Sequence, residues 1–109
     1  LFCSHNGIQN EVIDTLKERK ISRNELYIVL DDKNLIRIIK QIKEERLVLA
    51  KDIGIISYND TLLKEIVEGG ITTISTNFNL MGQRLAEMIL NNEFDQVENP
   101  NSLILRKSL

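Results

Sequence analysis

Short runs of β-branched and apolar residues alternate along this chain with longer stretches whose apolar positions recur at helical spacing. Such alternation predicts strands followed by helices in a layered α/β fold. Five strands and four helices are expected. The first strand covers Leu1 to Cys3. Asn6, with Gln9 three positions on, reads as a capping box with Asn6 as the N-cap, opening a helix to about Arg19 that turns Val12, Ile13 and Leu16 inward. The stretch ELYIVL (25–30) reads as the second strand. DDKN then starts a helix with Asp32 as its cap, and its apolar face of Leu35, Ile36, Ile38, Ile39 and Ile42 is wider than one sheet needs. A third strand at 53–57 leads to a helix at 61–67 capped by Asp60, which Gly69-Gly70 ends because consecutive glycines lose too much backbone entropy in a helix. ITTIS is the fourth strand. A helix over 78–90 presents Leu80, Met81, Leu85, Met88 and Ile89, and after a polar loop containing Pro100 the chain closes on a strand in SLILRKSL.

Chemistry in such a fold belongs where strands hand over to helices, since ligands of parallel sheets bind outside the carboxyl ends of the strands. Three predicted strand ends carry polar or aromatic residues: Phe2 to His5, Leu30-Asp31-Asp32, and Tyr58-Asn59-Asp60. With Asp32 and Asp60 serving as caps, Asp31 and Asn59 are left to face either solvent or a ligand. Their acceptors, and the two donors of Asn59, suit a polyhydroxylated molecule. Phe2 reads as a core residue or a rim aromatic, Phe78 as the hydrophobic anchor of its helix, and His5 as a surface-loop residue without a second metal-ligating neighbour.

Composition narrows the class. A chain of 109 residues, 42% hydrophobic and 28% charged, is one soluble domain or one lobe of something larger. Its apolar runs end after about five residues, short of the roughly 20 that cross a bilayer, so no membrane partner is expected. The net charge of -2 gives no general attraction to nucleic acid. A single cysteine, Cys3, forms no internal disulfide, which makes a cytoplasmic setting the default. There is no G-x-G-x-x-G, G-x-S-x-G, P-loop or metal-spaced His/Cys cluster, so neither an enzyme nor a cofactor nor a metal is expected. A receiver domain would carry its acidic pair after the first strand, whereas here it follows the second. The chain opens on Leu1, inside a predicted strand, and reads as a fragment of a longer protein.

The segment DIGIISYNDTLLKEIVEGGITTISTNFNLMGQRLAEMIL resembles the carboxyl-terminal part of LacI/GalR-type transcriptional regulators. In that family a strand reading roughly D-I-S-V-V-G-[FY]-[DN]-[DN]-T leads to a helix, to L-T-T-[IV], to a glycine-marked helix, and to a last strand such as L-I-x-R-x-S. Residues 52–61, 72–74, 82–90 and 103–108 fit these elements in order. Upstream, YIVLDD and the spacing of Phe2 to Gly7 are similar to further family segments.

The resemblance implies a Rossmann-like, three-layer lobe with a mainly parallel sheet, the C-terminal subdomain of a periplasmic-binding-protein-like fold. Residues 1–74 would form that lobe, 75–98 would cross to the amino-terminal lobe, and 99–109 would return as a strand. Phe2, Asp31, Asn59 and Phe78 then correspond to effector-facing positions. Asp31 stands where the family usually has Asn, and Asn59 where it often has Asp. The implied activity is allosteric control of operator DNA by a small effector, a sugar, sugar phosphate or purine. The DNA would be held through a helix-turn-helix headpiece that this sequence lacks. A homodimer is implied, with Leu35, Ile36 and Ile39 in its contact. A periplasmic-type sugar-binding protein of the same bilobal fold is the alternative. Two departures stand out: Ala50 replaces a family proline, and Glu68-Gly69-Gly70 replaces a small-Pro-Pro loop, which should make that connection more pliable.

Overall fold

The structure, a computed structural model, describes residues 2–109. Its sheet has four strands, β1 (Glu25–Val29), β2 (Ile53–Tyr58), β3 (Thr72–Thr76) and β4 (Asn101–Ile104), lying side by side in that order. β1, β2 and β3 run parallel, and β4 runs antiparallel to β3. The helices are α1 (Phe2–His5), α2 (Asp32–Glu44), α3 (Leu62–Ile66) and α4 (Phe78–Leu90), with a single 3-10 turn at Val67–Gly69. The mainly parallel α/β lobe expected from the alternating pattern is therefore present, with one strand fewer among the described residues.

Parallel strands need a crossover, and α2 supplies the one between β1 and β2. Leu35, Ile38 and Ile42, at helical spacing, are buried against Val29, Ile53, Ile55 and Ile71. Each such side chain contributes about 1.5–3 kcal/mol on burial. Along β2, Ile53, Ile55 and Ser57 are buried while Gly54 and Ile56 are half-buried. On β1 the alternate residues Leu26 and Ile28 stay 52% and 64% exposed, so α2 covers one face of the sheet and leaves the other largely open. The broad apolar face of α2 divides accordingly: Ile39 packs half-buried on the core, and Ile36 points to solvent.

The amino-terminal expectations are corrected. Phe2–His5 is one helical turn, not a strand, and Leu1 lies outside the described residues. Asn6 caps no helix; its side chain donates to the Phe2 carbonyl behind it. Residues 8–24 contain no helix. The physical reason is competition from α2, whose Asn34, Arg37 and Gln41 form a polar row beside its apolar stripe. Asn34 Oδ1 accepts from the Leu16 N–H at 3.3 Å, Gln41 Oε1 accepts from the Ile21 N–H at 2.9 Å, and Gln41 Nε2 donates to the Arg19 carbonyl at 2.9 Å. Arg37 reaches Thr15 Oγ1 at 3.1 Å. These bonds hold the segment in an irregular path along α2 while Leu16 and Ile21 join the core. Side-chain partners thus replace the i to i-4 bonds that periodicity alone would predict.

The carboxyl end closes the sheet. Beyond β4 the chain reaches the gap left where β2 begins before β3. There the fully buried Ser108 donates its Oγ to the Ile55 carbonyl and accepts from the Thr72 N–H, both at 2.7 Å. Its own carbonyl accepts from the Ile55 N–H at 2.8 Å. Two residues earlier, the Arg106 guanidinium forks onto the Asp60 carboxylate at 2.6 and 2.8 Å and donates to the Ile71 carbonyl at 2.9 Å. This approach requires Gly70, since a Cβ there would lie 2.8 Å from Arg106 Cδ and 3.0 Å from the Glu65 carbonyl oxygen. Glu68, Gly69 and Gly70 all have positive φ, at 54°, 80° and 108°, a region closed to proline. Ala50, at φ 63°, is likewise in a conformation that a proline cannot take. Both departures from the family's prolines thus have a backbone reason, and the glycines hold a defined turn.

The molecule is elongated, 54 × 35 × 24 Å, with a radius of gyration of 17.1 Å against about 13 Å for a compact domain of this length. α4 contributes to this shape, having no buried residue. It leaves after β3 and the chain returns beside it: Asn77 N–H donates to the Pro100 carbonyl at 3.3 Å, and Thr76 pairs with Asn101.

Two stability outcomes are expected. Ser108→Ala strands a buried N–H and a buried carbonyl and should cost about 2 kcal/mol in urea unfolding; a loss below about 0.5 kcal/mol would remove the clasp role. Arg106→Met leaves Asp60 mostly buried and unpaired, at a cost of about 2 kcal/mol near neutral pH, discounted from fully buried pairs. The guanidinium holds the Asp60 carboxyl below its ordinary range. The contribution is therefore full above the unfolded carboxylate pKa of about 4 and lost as pH falls through the lower folded value. Unfolding free energies of the two proteins should converge on acidification; a gap that widens would contradict the pairing.

Candidate functional site

The register of β1 and β2 builds the candidate site. Val29 is paired with Ser57, so two residues further along each strand Asp31 and Asn59 leave the same end of the sheet from neighbouring strands. The structure brings these two positions to one rim. It links Phe2 to neither by a hydrogen bond: the Phe2 carbonyl accepts from Asn6, and Phe2 is 73% exposed. Phe2 is thus not the third strand end of the expected set. Phe78 opens α4 beyond β3 and is about half exposed.

The helix caps differ from those expected. Asp31, not Asp32, caps α2, its Oδ1 accepting from the Asn34 N–H and its Oδ2 from Asn34 Nδ2, both at 2.8 Å. These bonds hold its carboxyl below the usual range. The cap needs an extended residue before the first turn, and Asp31 has φ -131° and ψ 149° while Asp32 is already helical. At the next turn Thr61, not Asp60, caps α3 by accepting from the Lys64 N–H at 3.3 Å. Asp60 is instead taken by Arg106 and also accepts from Thr73 Oγ1 at 3.1 Å, while its N–H donates to Ser75 Oγ at 2.9 Å.

The tip of β2 is held tightly. Asn59 has φ 59°, the left-handed conformation that asparagine tolerates better than most residues. Its N–H donates to the Ile74 carbonyl at 2.8 Å, and its side-chain Oδ1 is buried without a protein partner. Beneath the turn sits Lys64, 4% exposed, whose ammonium donates to the carbonyls of Tyr58 at 2.9 Å and Asn59 at 2.8 Å and pairs with Asp32 at 2.8 Å. Asp32, relieved of capping, therefore joins the first turn of α2 to the turn after β2. The rim offers carboxylate acceptors at Asp31 and Asp32 and an amide at Asn59. It can hold a ligand by hydrogen bonds to hydroxyl or amine groups.

Sequence reasoning missed Lys64 and Arg106. A lysine within TLLKEIV carries no local signal of burial, and the Arg106 to Asp60 contact spans 46 positions. Of the expected dimer contact, Leu35 is buried in the core, Ile39 is half-buried on it, and Ile36 is exposed.

Residues 4–109 match the periplasmic binding protein-like domain family. No curated protein matches the chain by sequence. Among solved structures, the Lac repressor dimer bound to operator and the anti-inducer ONPF is 29% identical, with a TM-score of 0.61 over 76% of this chain and 31% of its own. A LacI-family transcription repressor from Corynebacterium glutamicum is 25% identical, with a TM-score of 0.60 over 76% and 34%. A LacI-family transcriptional regulator from Lactobacillus casei with bound glucose shares the fold at 16% identity, with a TM-score of 0.64 over 77% and 32%. The chain thus spans about a third of the length of the solved structures it matches. With its parallel lobe, the shared rim of Asp31 and Asn59, and the family match over nearly every residue, this chain belongs to the periplasmic binding protein-like domain family and is of the LacI type.

Proposed function

We propose that this chain forms the carboxyl-terminal lobe of the sensing domain of a cytoplasmic LacI/GalR-type transcriptional regulator, a repressor that binds a small effector and is not an enzyme. The observation that carries this reading is the convergence of Asp31 and Asn59 on the carboxyl rim of β1 and β2, where open α/β sheets bind ligands. The effector is a sugar or another neutral molecule rich in hydroxyl or nitrogen groups. The carboxylates of Asp31 and Asp32 would accept from it, and the amide of Asn59 would add a further hydrogen bond. A sugar phosphate fits less well, because these carboxylates repel it. The solved relatives are transcription repressors, which favours a regulator over a periplasmic-type binding protein.

Residues 75–98 are proposed as an excursion into a second lobe. Its two ends meet at Asn77 and Pro100, and the apolar stripe of Leu80, Met81, Leu85 and Ile89 on α4 is 39–68% exposed, as a helix awaiting another sheet would be. Lobe closure over the effector would place Phe78 against the ligand, as the resemblance implies for Phe2, and would change how a homodimer presents its DNA-binding headpieces. A dimer contact on the outer face of α2 would use Ile36, which is 61% exposed. For control, the effector must prefer one lobe arrangement by about 1–3 kcal/mol.

The reading is checked in the full-length regulator by calorimetry with glucose, galactose and hypoxanthine. Asn59→Gly keeps the left-handed backbone and removes the amide, while Asp31→Ser keeps the cap and removes the charge. Each should weaken binding about tenfold, equivalent to about 1.4 kcal/mol, with operator affinity unchanged in the absence of ligand. Unaltered affinity in both variants would return Asp31 and Asn59 to a purely structural role.

A further inference from the structure

An ammonium group inside a protein is costly unless all of its donors are met, because desolvation alone amounts to several kcal/mol. Lys64 meets this condition with two backbone carbonyls, those of Tyr58 and Asn59, and one carboxylate, that of Asp32. The choice of partners is informative. Two of them belong to the turn that carries Asn59, and the third lies next to Asp31 in the first turn of the neighbouring helix. The peptide on either side of Asn59 is thereby held, its N–H by the Ile74 carbonyl and its carbonyl oxygen by Lys64. A left-handed asparagine has no side-chain anchor here, since its Oδ1 is buried with no partner. Its direction is set through the backbone.

We propose that Lys64 is a positioning residue for the effector site. It braces the turn after β2 against the start of α2, so that Asn59 and Asp31 keep one spacing and one orientation. The proposal rests on the functional reading given above for those two residues, but its mechanical half does not. Lys64 need not touch the effector; its three donors are already engaged within the chain. Lys64→Met keeps the length and apolar stem of the side chain and leaves both carbonyls unmet. Asp32→Asn removes the charge at the far end of the brace and leaves the lysine on its carbonyls. Because Asp32 is exposed and is not the cap, this second variant spares the core.

The test uses the full-length protein and two readouts. Amide hydrogen exchange without ligand should show Asn59 exchanging about tenfold faster in Lys64→Met and about threefold faster in Asp32→Asn, while Ile55 in the sheet is unchanged. Calorimetry with glucose, galactose and hypoxanthine should show affinity falling about tenfold in Lys64→Met. Should Lys64→Met fail to fold, Asp32→Asn decides: faster exchange at Asn59 with an unshifted Tm supports the brace, and unchanged exchange overturns it. Faster exchange with unchanged affinity for a probe that binds the unaltered protein overturns the positioning role and leaves a structural brace. If none of the three probes binds the unaltered protein, the exchange result alone decides the brace and the sugar or purine reading fails separately.

Discussion

Parallel pairing of β1 with β2 is the constraint on which the rest depends. Two strands pointing the same way must shed their following loops at the same edge, so the register of Val29 with Ser57 brings Asp31 and Asn59 to one rim. α2 is the price of that geometry, since a parallel pair needs a crossover, and its apolar stripe seals one face of the sheet. One slip in register would turn Ile53 and Ile55 outward, so the core and the rim are specified together.

Three ion pairs of the lobe illustrate different strengths. The Arg106 fork on Asp60 is bidentate and mostly buried, and it fastens the last strand to the turn after β2. The Lys64 contact with Asp32 has one buried and one exposed end, so it holds position more than it adds stability. The Arg19 contact with Glu11 lies on the surface and belongs to the class worth little. Asp60 and Asp32 are thus matched by Arg106 and Lys64, whereas Asp31 is stabilised by hydrogen bonds from Asn34.

The unsealed parts of the molecule carry meaning of their own. A lobe that leaves Leu26 and Ile28 open and an entire helix unburied is not a finished surface for an isolated soluble domain. The near meeting of Asn77 and Pro100 shows how α4 can belong elsewhere without disturbing the sheet: the chain departs and returns at one point. In the proposed two-lobed arrangement, such a double crossing would let the lobes move relative to each other while each retains its own hydrogen bonds.

Local pattern alone determined the α/β class, all four strands of the sheet and the helices α2, α3 and α4, because burial of an apolar face imposes a period along the sequence. It also pointed to the turns after 30 and 58, where polar residues interrupt apolar runs. What it could not decide were outcomes of competition between distant groups. VIDTL has helical spacing, yet Asn34 takes the Leu16 N–H and Arg37 the Thr15 hydroxyl, and the segment is not helical. Asp60 and Asp32 have capping chemistry, yet Arg106 and Lys64 claim them, and the caps pass to Thr61 and Asp31. Periodicity reports which side of an element is buried; only the folded chain settles which partner a hydrogen-bonding group finds, because those partners lie dozens of residues away.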